Sequence, residues 1–327
     1  MRDMRLVATS ALAPMLWGTT YLVTTELLPD HRPLLAGAVR ALPAGLLLCA
    51  AVAVLGGRLA LPRGAWWWRS AVLGTLNIGL FFALLFVAAY RLPGGVASVV
   101  GGLAPFAVAA LAFPLLGERP PSRSVAAAVI GVAGVALLVL RSAVALDPLG
   151  LAAAGGGVVT MSLGTVLGRR WGTPQGYARR GTALLALTGW QLTAGGLLLL
   201  PATLLVEGMP PAPTGTNLAG FGYLTVAGTA LAYFLWFRGV TSLAPIRLTL
   251  LGLLSPVVAA GLGWAVLGQS LSGGQLAGAA GVLGAVLLGA STPRRDRRRR
   301  HDPPARETRP VRCVPPGPGR GKQVVTA

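Results

Sequence analysis

The side chains able to do chemistry in this sequence are few, and they sit inside apolar runs where each must find a partner. Trp17, Thr20, Tyr21 and Thr24 fall at i, i+3, i+4 and i+7, which places them on one face of a helix. Arg40 lies seven residues into a second run, in Ala38-Val39-Arg40-Ala41. Asn77 interrupts a third, Trp190-Gln191 with Thr193 another, and Tyr233, Trp236 and Phe237 repeat the i, i+3, i+4 spacing in a further one. A guanidinium in hydrocarbon costs about 2.5 to 3.5 kcal/mol on insertion scales, so it needs a partner or a watery cavity, and buried amides need partners too. The chemistry these groups offer is binding: a cation for a carboxylate, amides for polar groups, aromatic rings for stacking or gating. Each has a second reading. The first stripe lines a cavity, or it forms an interfacial belt whose threonines bond back to their own helix. Arg40 faces inward, or it snorkels to the outer surface beside Asp30 or Glu26. Asn77 and Gln191 hold a substrate, or they join helices to one another.

Composition says what these groups are embedded in. Of 327 residues, 54% are hydrophobic and only 11% charged, with mean hydropathy +0.68, a balance no water-soluble domain of this size carries on its surface. The formal net charge of +19 would suggest nucleic acid in a soluble protein. Here the arginines lie between and after the apolar segments, so a positive-inside pattern accounts for them and no nucleic-acid partner is expected. Cys49 and Cys313 fall in an apolar run and in the tail, so no structural disulfide is expected.

Ten apolar segments, near 6–27, 34–55, 67–90, 95–116, 123–141, 147–168, 183–206, 217–238, 244–267 and 273–291, approach the roughly 20 residues a helix needs to cross the hydrocarbon. They are continuously apolar rather than alternating, so helices are expected rather than a barrel. Arg2, Arg5 and Ala11-Leu12-Ala13 resemble a signal peptide, but the run before that box is too short and the apolar character continues past it. With the N-terminus inside, thirteen arginines fall on cytoplasmic turns before the tail, and only Arg32, Arg91 and Arg141 fall outside. The bias places both chain ends in the cytoplasm. From Pro293 the sequence turns basic and Pro/Gly-rich, with six arginines between Arg294 and Arg300. This tail, 293–327, is expected to be disordered and to lie against anionic lipid headgroups.

The chain also repeats itself. Leu103, Pro105, Ala109, Leu111, Leu116 and Gly117 recur as Leu254, Pro256, Ala260, Leu262, Leu267 and Gly268, at a fixed offset of 151. After a one-residue slip Gly131 and Gly134 meet Gly281 and Gly284. Five helices is an odd number, so the second half enters the membrane upside down; paired repeats in an apolar chain point to a transporter. The expected halves are 1–141 and 142–292. Pro105 and Pro256 each free a carbonyl inside a helix, which kinks it or lines a pathway. Gly273, Ala277, Gly281, Ala285 and Gly289 make a small-residue ridge for close helix packing, within a monomer or in a homodimer.

What is missing narrows the function. Nine acids are present and none sits securely at mid-membrane, Glu26 coming nearest. There is no phosphate-binding Walker loop and no acidic metal-binding motif, and His31 and His301 fall in a loop and in the tail. No cofactor or metal is expected, and an embedded enzyme is the least favoured class.

Trp17-Gly18-Thr19-Thr20-Tyr21, Arg40, and the hairpin from Leu103-Ala104-Pro105 to Leu116-Gly117-Glu118 with its second copy together resemble the EamA family of the drug/metabolite transporter superfamily. The resemblance covers about residues 6 to 291. It implies an all-α integral membrane protein of ten transmembrane helices in two inverted five-helix repeats, with a central cavity between them, in a bacterial inner membrane. Such carriers export amino acids, pigments or other small metabolites by alternating access. Trp17, Thr20, Tyr21, Arg40, Asn77, Gln191, Tyr233 and Trp236 are the expected lining. Two departures stand out: Gln269 where the family often has an acid, and Leu163-Gly164 where the first half has Trp17-Gly18. A passive lipid flippase or channel is the alternative.

Overall fold

The computed structural model describes residues 2–29, 32–56, 61–92, 94–139, 147–268 and 270–290. Asp30, His31, Arg58, Arg141, Gln269 and the tail from 293, with its expected lipid contact, lie outside the described residues, as does the side chain of Tyr21. Among the described residues the regular structure is all helix, since backbone in hydrocarbon has no water to bond. We number the segments α1 (Arg2–Leu27), α2 (Pro33–Gly56), α3 (66–91), α4 (94–116), α5 (Ser122–Val139), α6 (Pro148–Trp171), α7 (Arg180–Val206), α8 (Gly215–Val240), α9 (Pro245–Leu267) and α10 (Gly273–Ala290). Nine of these are long and apolar enough to cross a membrane; the apolar part of α10, Gly273–Gly289, falls just short in length.

Four of the segments are interrupted, in matching pairs. In α3 a π-helical turn, Thr75–Gly79, separates Trp66–Gly74 from Leu80–Arg91, and in α8 another, Val226–Leu231, separates Gly215–Thr225 from Ala232–Val240. A π-turn inserts a residue into the helical ladder and turns backbone groups toward neighbours. α4 breaks at Leu103 and α9 at Leu253, two and three residues before Pro105 and Pro256, whose nitrogens have no proton to give. Both hairpin copies end on a left-handed glycine, Gly117 at φ 66° and Gly268 at φ 63°, a conformation that costs glycine no Cβ clash. The repeat written in the sequence is thus a repeat of backbone conformation.

The packing shows how the halves face one another. α2 lies along α7, α5 along α10, α1 against α8 and α9, and α6 against α3 and α4, so the main contacts of one half have their counterparts in the other. A Cβ built on Gly45 would stand 2.5 Å from the Thr193 nitrogen, one on Gly196 2.7 Å from Leu42, and one on Gly189 2.8 Å from Cys49 Sγ. Numbers rise along α2 as they fall along α7, so the two helices run antiparallel with their backbones almost touching. α5 and α10 do the same, with Gly134 against Val282 and Gly278 against Leu138. Counterpart helices that cross antiparallel require a twofold axis perpendicular to them, in the membrane plane, and the repeats are inverted. The small-residue ridge of α10 is used here inside the chain: Ala285 faces Gly131, and Gly289 faces Leu250.

Helix ends are tied across the halves. Asp147 caps α6 by accepting from the Gly150 nitrogen, with Pro148 at the first helical position. Thr214 and Asn217 form a capping box on α8, and the Asn217 side chain also donates to the last turn of α1 at Leu27 O, 2.9 Å. The Glu207 carboxylate, just past α7, accepts from the nitrogens of Leu34 and Leu35, where the α2 dipole favours an anion.

Candidate functional site

Arg40, Asn77 and Gln191 meet the two π-turns. Arg40, 8% exposed, turns inward from α2: its Nε donates to Thr229 Oγ1 at 2.8 Å and its Nη2 to the Gly228 carbonyl at 2.9 Å, both on the α8 π-turn. Its guanidinium also stands 5.3 Å from the centre of the Phe82 ring of α3. Phe82 adds a cation–π contact worth about 0.5 to 2 kcal/mol depending on desolvation. The outward snorkelling reading therefore does not describe this side chain. Thr225, one turn before Gly228, donates to Val39 O at 3.3 Å and fastens the same two helices.

On the other π-turn, Asn77 Nδ2 donates to Gln191 Oε1 of α7 at 3.0 Å, and both residues are buried. Gly164 of α6 makes room for this amide, since a Cβ there would meet Asn77 Oδ1 at 2.2 Å. Arg40 and Gln191 are 151 positions apart, as are Asn77 and Gly228, the offset of the hairpin repeat. One helix pair, α2 with α8, is joined by a guanidinium on a carbonyl; its counterpart, α7 with α3, is joined by an amide on an amide. Beside the Asn77–Gln191 contact is a small cavity lined in part by Gly164, Leu187, Val240 and Thr241, with space for about one water molecule. Arg169 Nη1 and Arg180 Nη2 both donate to Thr241 O, at 2.9 and 3.2 Å, and close that end.

The aromatic groups form one cluster in the seam between the repeats. The Trp17 ring centre lies 5.1 Å from that of Tyr233 and 5.0 Å from that of Trp236, and Tyr233 lies 5.6 Å from Phe237. These tilted pairs suit the ring quadrupoles and add about 0.5 to 1.5 kcal/mol each beyond area burial. Trp17 Nε1 is buried with no hydrogen-bond partner among the described residues, so a donor waits in the seam at the cost of its lost hydration. Thr20 bonds back to Leu16 O at 3.4 Å, as the plainer reading of that stripe has it, while its Oγ1 would lie 3.6 Å from a Cβ on Gly228.

The structure therefore brings Trp17, Tyr233 and Trp236 into one ring cluster and Thr20 and Arg40 to the α8 π-turn. It places Asn77 and Gln191 on each other at the α3 turn. Sequence reasoning missed Gly228, Thr229, Phe82 and Glu207. Gly228 could have been found by carrying Asn77 forward 151 positions; Phe82 and Glu207 have no counterpart signal of that kind.

Comparison with known proteins agrees with this architecture. The EamA-like transporter family matches residues 5–140 and 149–290, one match to each repeat. Protein PecM of Dickeya dadantii is 47% identical over 276 residues, covering 84% of this chain and 89% of that protein. The uncharacterized inner membrane transporter YedA of Escherichia coli K12 is 27% identical over 260 residues, 79% of this chain and 81% of that protein. A solved crystal structure superposes with TM-score 0.72 over 87% of this chain and 97% of its own, at 21% identity, a likeness of fold. Two inverted five-helix repeats, matched one after the other by the same family, make this chain a multi-pass membrane transporter of the EamA family within the drug/metabolite transporter superfamily.

Proposed function

We propose that the protein is a secondary carrier that exports small, carboxylate-bearing metabolites by alternating access. The observation that carries this reading is Arg40. It is a buried cation at the seam of the two repeats whose hydrogen-bond acceptors are a hydroxyl and a carbonyl, and among the described residues no ion pair neutralises it. Such a charge in a low-dielectric interior attracts an anion more strongly than it would in water. Trp17, Tyr233 and Trp236 offer a ring cluster in the same seam, with Thr20 and Tyr21 on one α1 face by their spacing and Asn77 with its α7 partner Gln191 at the opposite π-turn as further contacts.

The sidedness follows from the arginine bias, which puts both chain ends and the basic tail in the cytoplasm and so gives α2 an outer start and α7 a cytoplasmic one. An inner-membrane location accords with the name of the YedA relative. The repeats divide at 141/142, and the small-residue ridge, used within the chain, favours a monomer. Reconstitution in vesicles tests the reading: Arg40→Ala and Tyr21→Ala each lower uptake of a carboxylate-bearing cargo at equal protein incorporation. Variants that transport as well as the parent remove these residues from the path.

A further inference from the structure

We infer that the two π-turn contacts are the carrier's gates, Asn77–Gln191 facing the cytoplasm and Arg40–Gly228/Thr229 facing outward, and that their unequal strength makes the resting protein open to the cytoplasm first. The inference rests on the carrier reading and sidedness proposed above, and it assigns the two contacts a role in regulating that same site.

The repeat makes the contacts equivalent in place. Arg40 and Gln191 correspond at the 151-residue offset, and so do Asn77 and Gly228. Each contact ties the helix that crosses at the twofold axis, α2 or α7, to the π-turn of α8 or α3. Inversion of the repeats then sends the equivalent contacts toward opposite faces. Arg40 stands seven residues past the start of α2, about 10 Å along the helix, on the outer side. Gln191 stands eleven residues past the start of α7, about 16 Å along it, and below it Leu187, Val240 and Thr241 already line a cavity on the cytoplasmic side.

The contacts differ in chemistry. The outer one is charge-assisted and made twice, to Thr229 Oγ1 and to Gly228 O, with Phe82 beneath the guanidinium. The inner one is a single neutral hydrogen bond between amides. Bonds with an ionised donor are about twice as strong as neutral ones, so thermal opening occurs first at Asn77–Gln191. A cargo entering from the cytoplasm then meets Arg40. Its carboxylate takes the guanidinium donors from the Gly228 carbonyl and the Thr229 hydroxyl, so the cargo itself releases the outer gate. Without a cargo anion the outer gate stays shut, which makes export run only when loaded.

Cysteine reporters at equivalent positions read the two gates. Ala36 and Leu187 are 151 residues apart, one turn from Arg40 and Gln191, and both are buried. Each is replaced singly, as Ala36→Cys or Leu187→Cys, in a full-length chain carrying Cys49→Ser and Cys313→Ser. A membrane-impermeant maleimide is applied to vesicles of known orientation. Leu187→Cys is expected to react from the cytoplasmic side about tenfold faster than Ala36→Cys reacts from outside, the ratio that separates a charged from a neutral hydrogen bond. Arg40→Gln raises outside labelling of Ala36→Cys about tenfold and leaves Leu187→Cys unchanged, and Asn77→Leu raises only Leu187→Cys. Thr229→Val, which keeps the charge in place, gives a smaller rise at Ala36→Cys and covers the case in which Arg40→Gln does not fold. Equal labelling of the two reporters, or an Ala36→Cys that stays sealed in both Arg40→Gln and Thr229→Val, overturns the inference. Labelling of Ala36→Cys from the cytoplasmic side overturns it too. Labelling needs no cargo, so the expected pattern in a protein that moves no carboxylate would uphold the gates and remove the carrier reading alone.

Discussion

Arg40 and Gln191 hold equivalent places in the two repeats, yet one is a cation on a carbonyl and the other an amide on an amide. The geometry around them is shared: an antiparallel crossing of α2 and α7 through glycine, and a π-turn on the facing helix. Their neighbours differ in the same sense. α1 presents Trp17 to Tyr233 and Trp236, while α6 presents Gly164 to Asn77. Packing, which requires glycine where backbones meet, holds the scaffold alike in both halves. The side chains that point into the seam are under no such demand, and there the halves part: one contact is cationic with an aromatic cluster in its half of the seam, the other a neutral amide pair beside a glycine.

The strongest test of that contrast is Arg40→Met beside Gln191→Met. Loss of the charge-assisted contact proposed for the cargo is worth roughly 1.5 to 3 kcal/mol, or about 10- to 160-fold in transport rate. Loss of the neutral contact costs only a few-fold on the same scale. Stability should follow a different order. Removing the guanidinium relieves a burial cost of about 2.5 to 3.5 kcal/mol and orphans the Gly228 carbonyl at about 1 to 3 kcal/mol. Arg40→Met should therefore unfold in detergent within about 1 to 2 kcal/mol of the parent while transporting far less. A variant that loses stability and transport together would make Arg40 a structural group and end the contrast.

A change at the shared crossing should affect both ends alike. In Gly45→Ala the new Cβ meets the Thr193 backbone nitrogen at 2.5 Å, and backbone cannot rotate away, so overpacking of about 1 to 3 kcal/mol is expected. Gly261→Ala, where nothing lies within 4 Å, should instead be neutral or stabilising by up to about 1 kcal/mol through helix propensity. Thermal unfolding of the two variants in one detergent measures the difference. Equal midpoints would mean that the α2–α7 crossing is loose and that the two contacts are not held at matched reach.

The scaffold was readable from the sequence because it rests on features that composition and spacing carry: long apolar runs, and Leu-x-Pro hairpins ending in Gly117 and Gly268. The inward orientation of Arg40 was one of two readings, and the sequence could not choose between them. Its acceptors are a glycine carbonyl and a threonine, residue types found on nearly every helix here. The π-turns were not read, because the one-residue shift they make in the side-chain pattern is hidden where nearly every residue is apolar. Asn77 and Gln191 were singled out for being amides in hydrocarbon, but only the fold shows that their partner is each other. Trp17 shared a reason for notice with interfacial tryptophans, and it took its distances to Tyr233 and Trp236 to separate it from such a belt.

The smallest effect is the most specific to the neutral end. Asn77 and Gln191 are buried together, so Asn77→Leu or Gln191→Leu alone leaves an amide facing an apolar side chain. Interhelical hydrogen bonds within membranes average about 0.6 kcal/mol and reach about 1.7 kcal/mol at most. Replacing both partners removes the need for the bond and should restore part of what either single change loses. A double-mutant cycle on unfolding free energy should then give a coupling of about 0.6 kcal/mol. Gly164 limits the substitutes, since the space it leaves is already filled by the Asn77 amide, and leucine has the same heavy-atom count as asparagine. A coupling near zero would mean that the two amides meet without holding the helices together, and the inner end of the seam would then have no latch to set against Arg40.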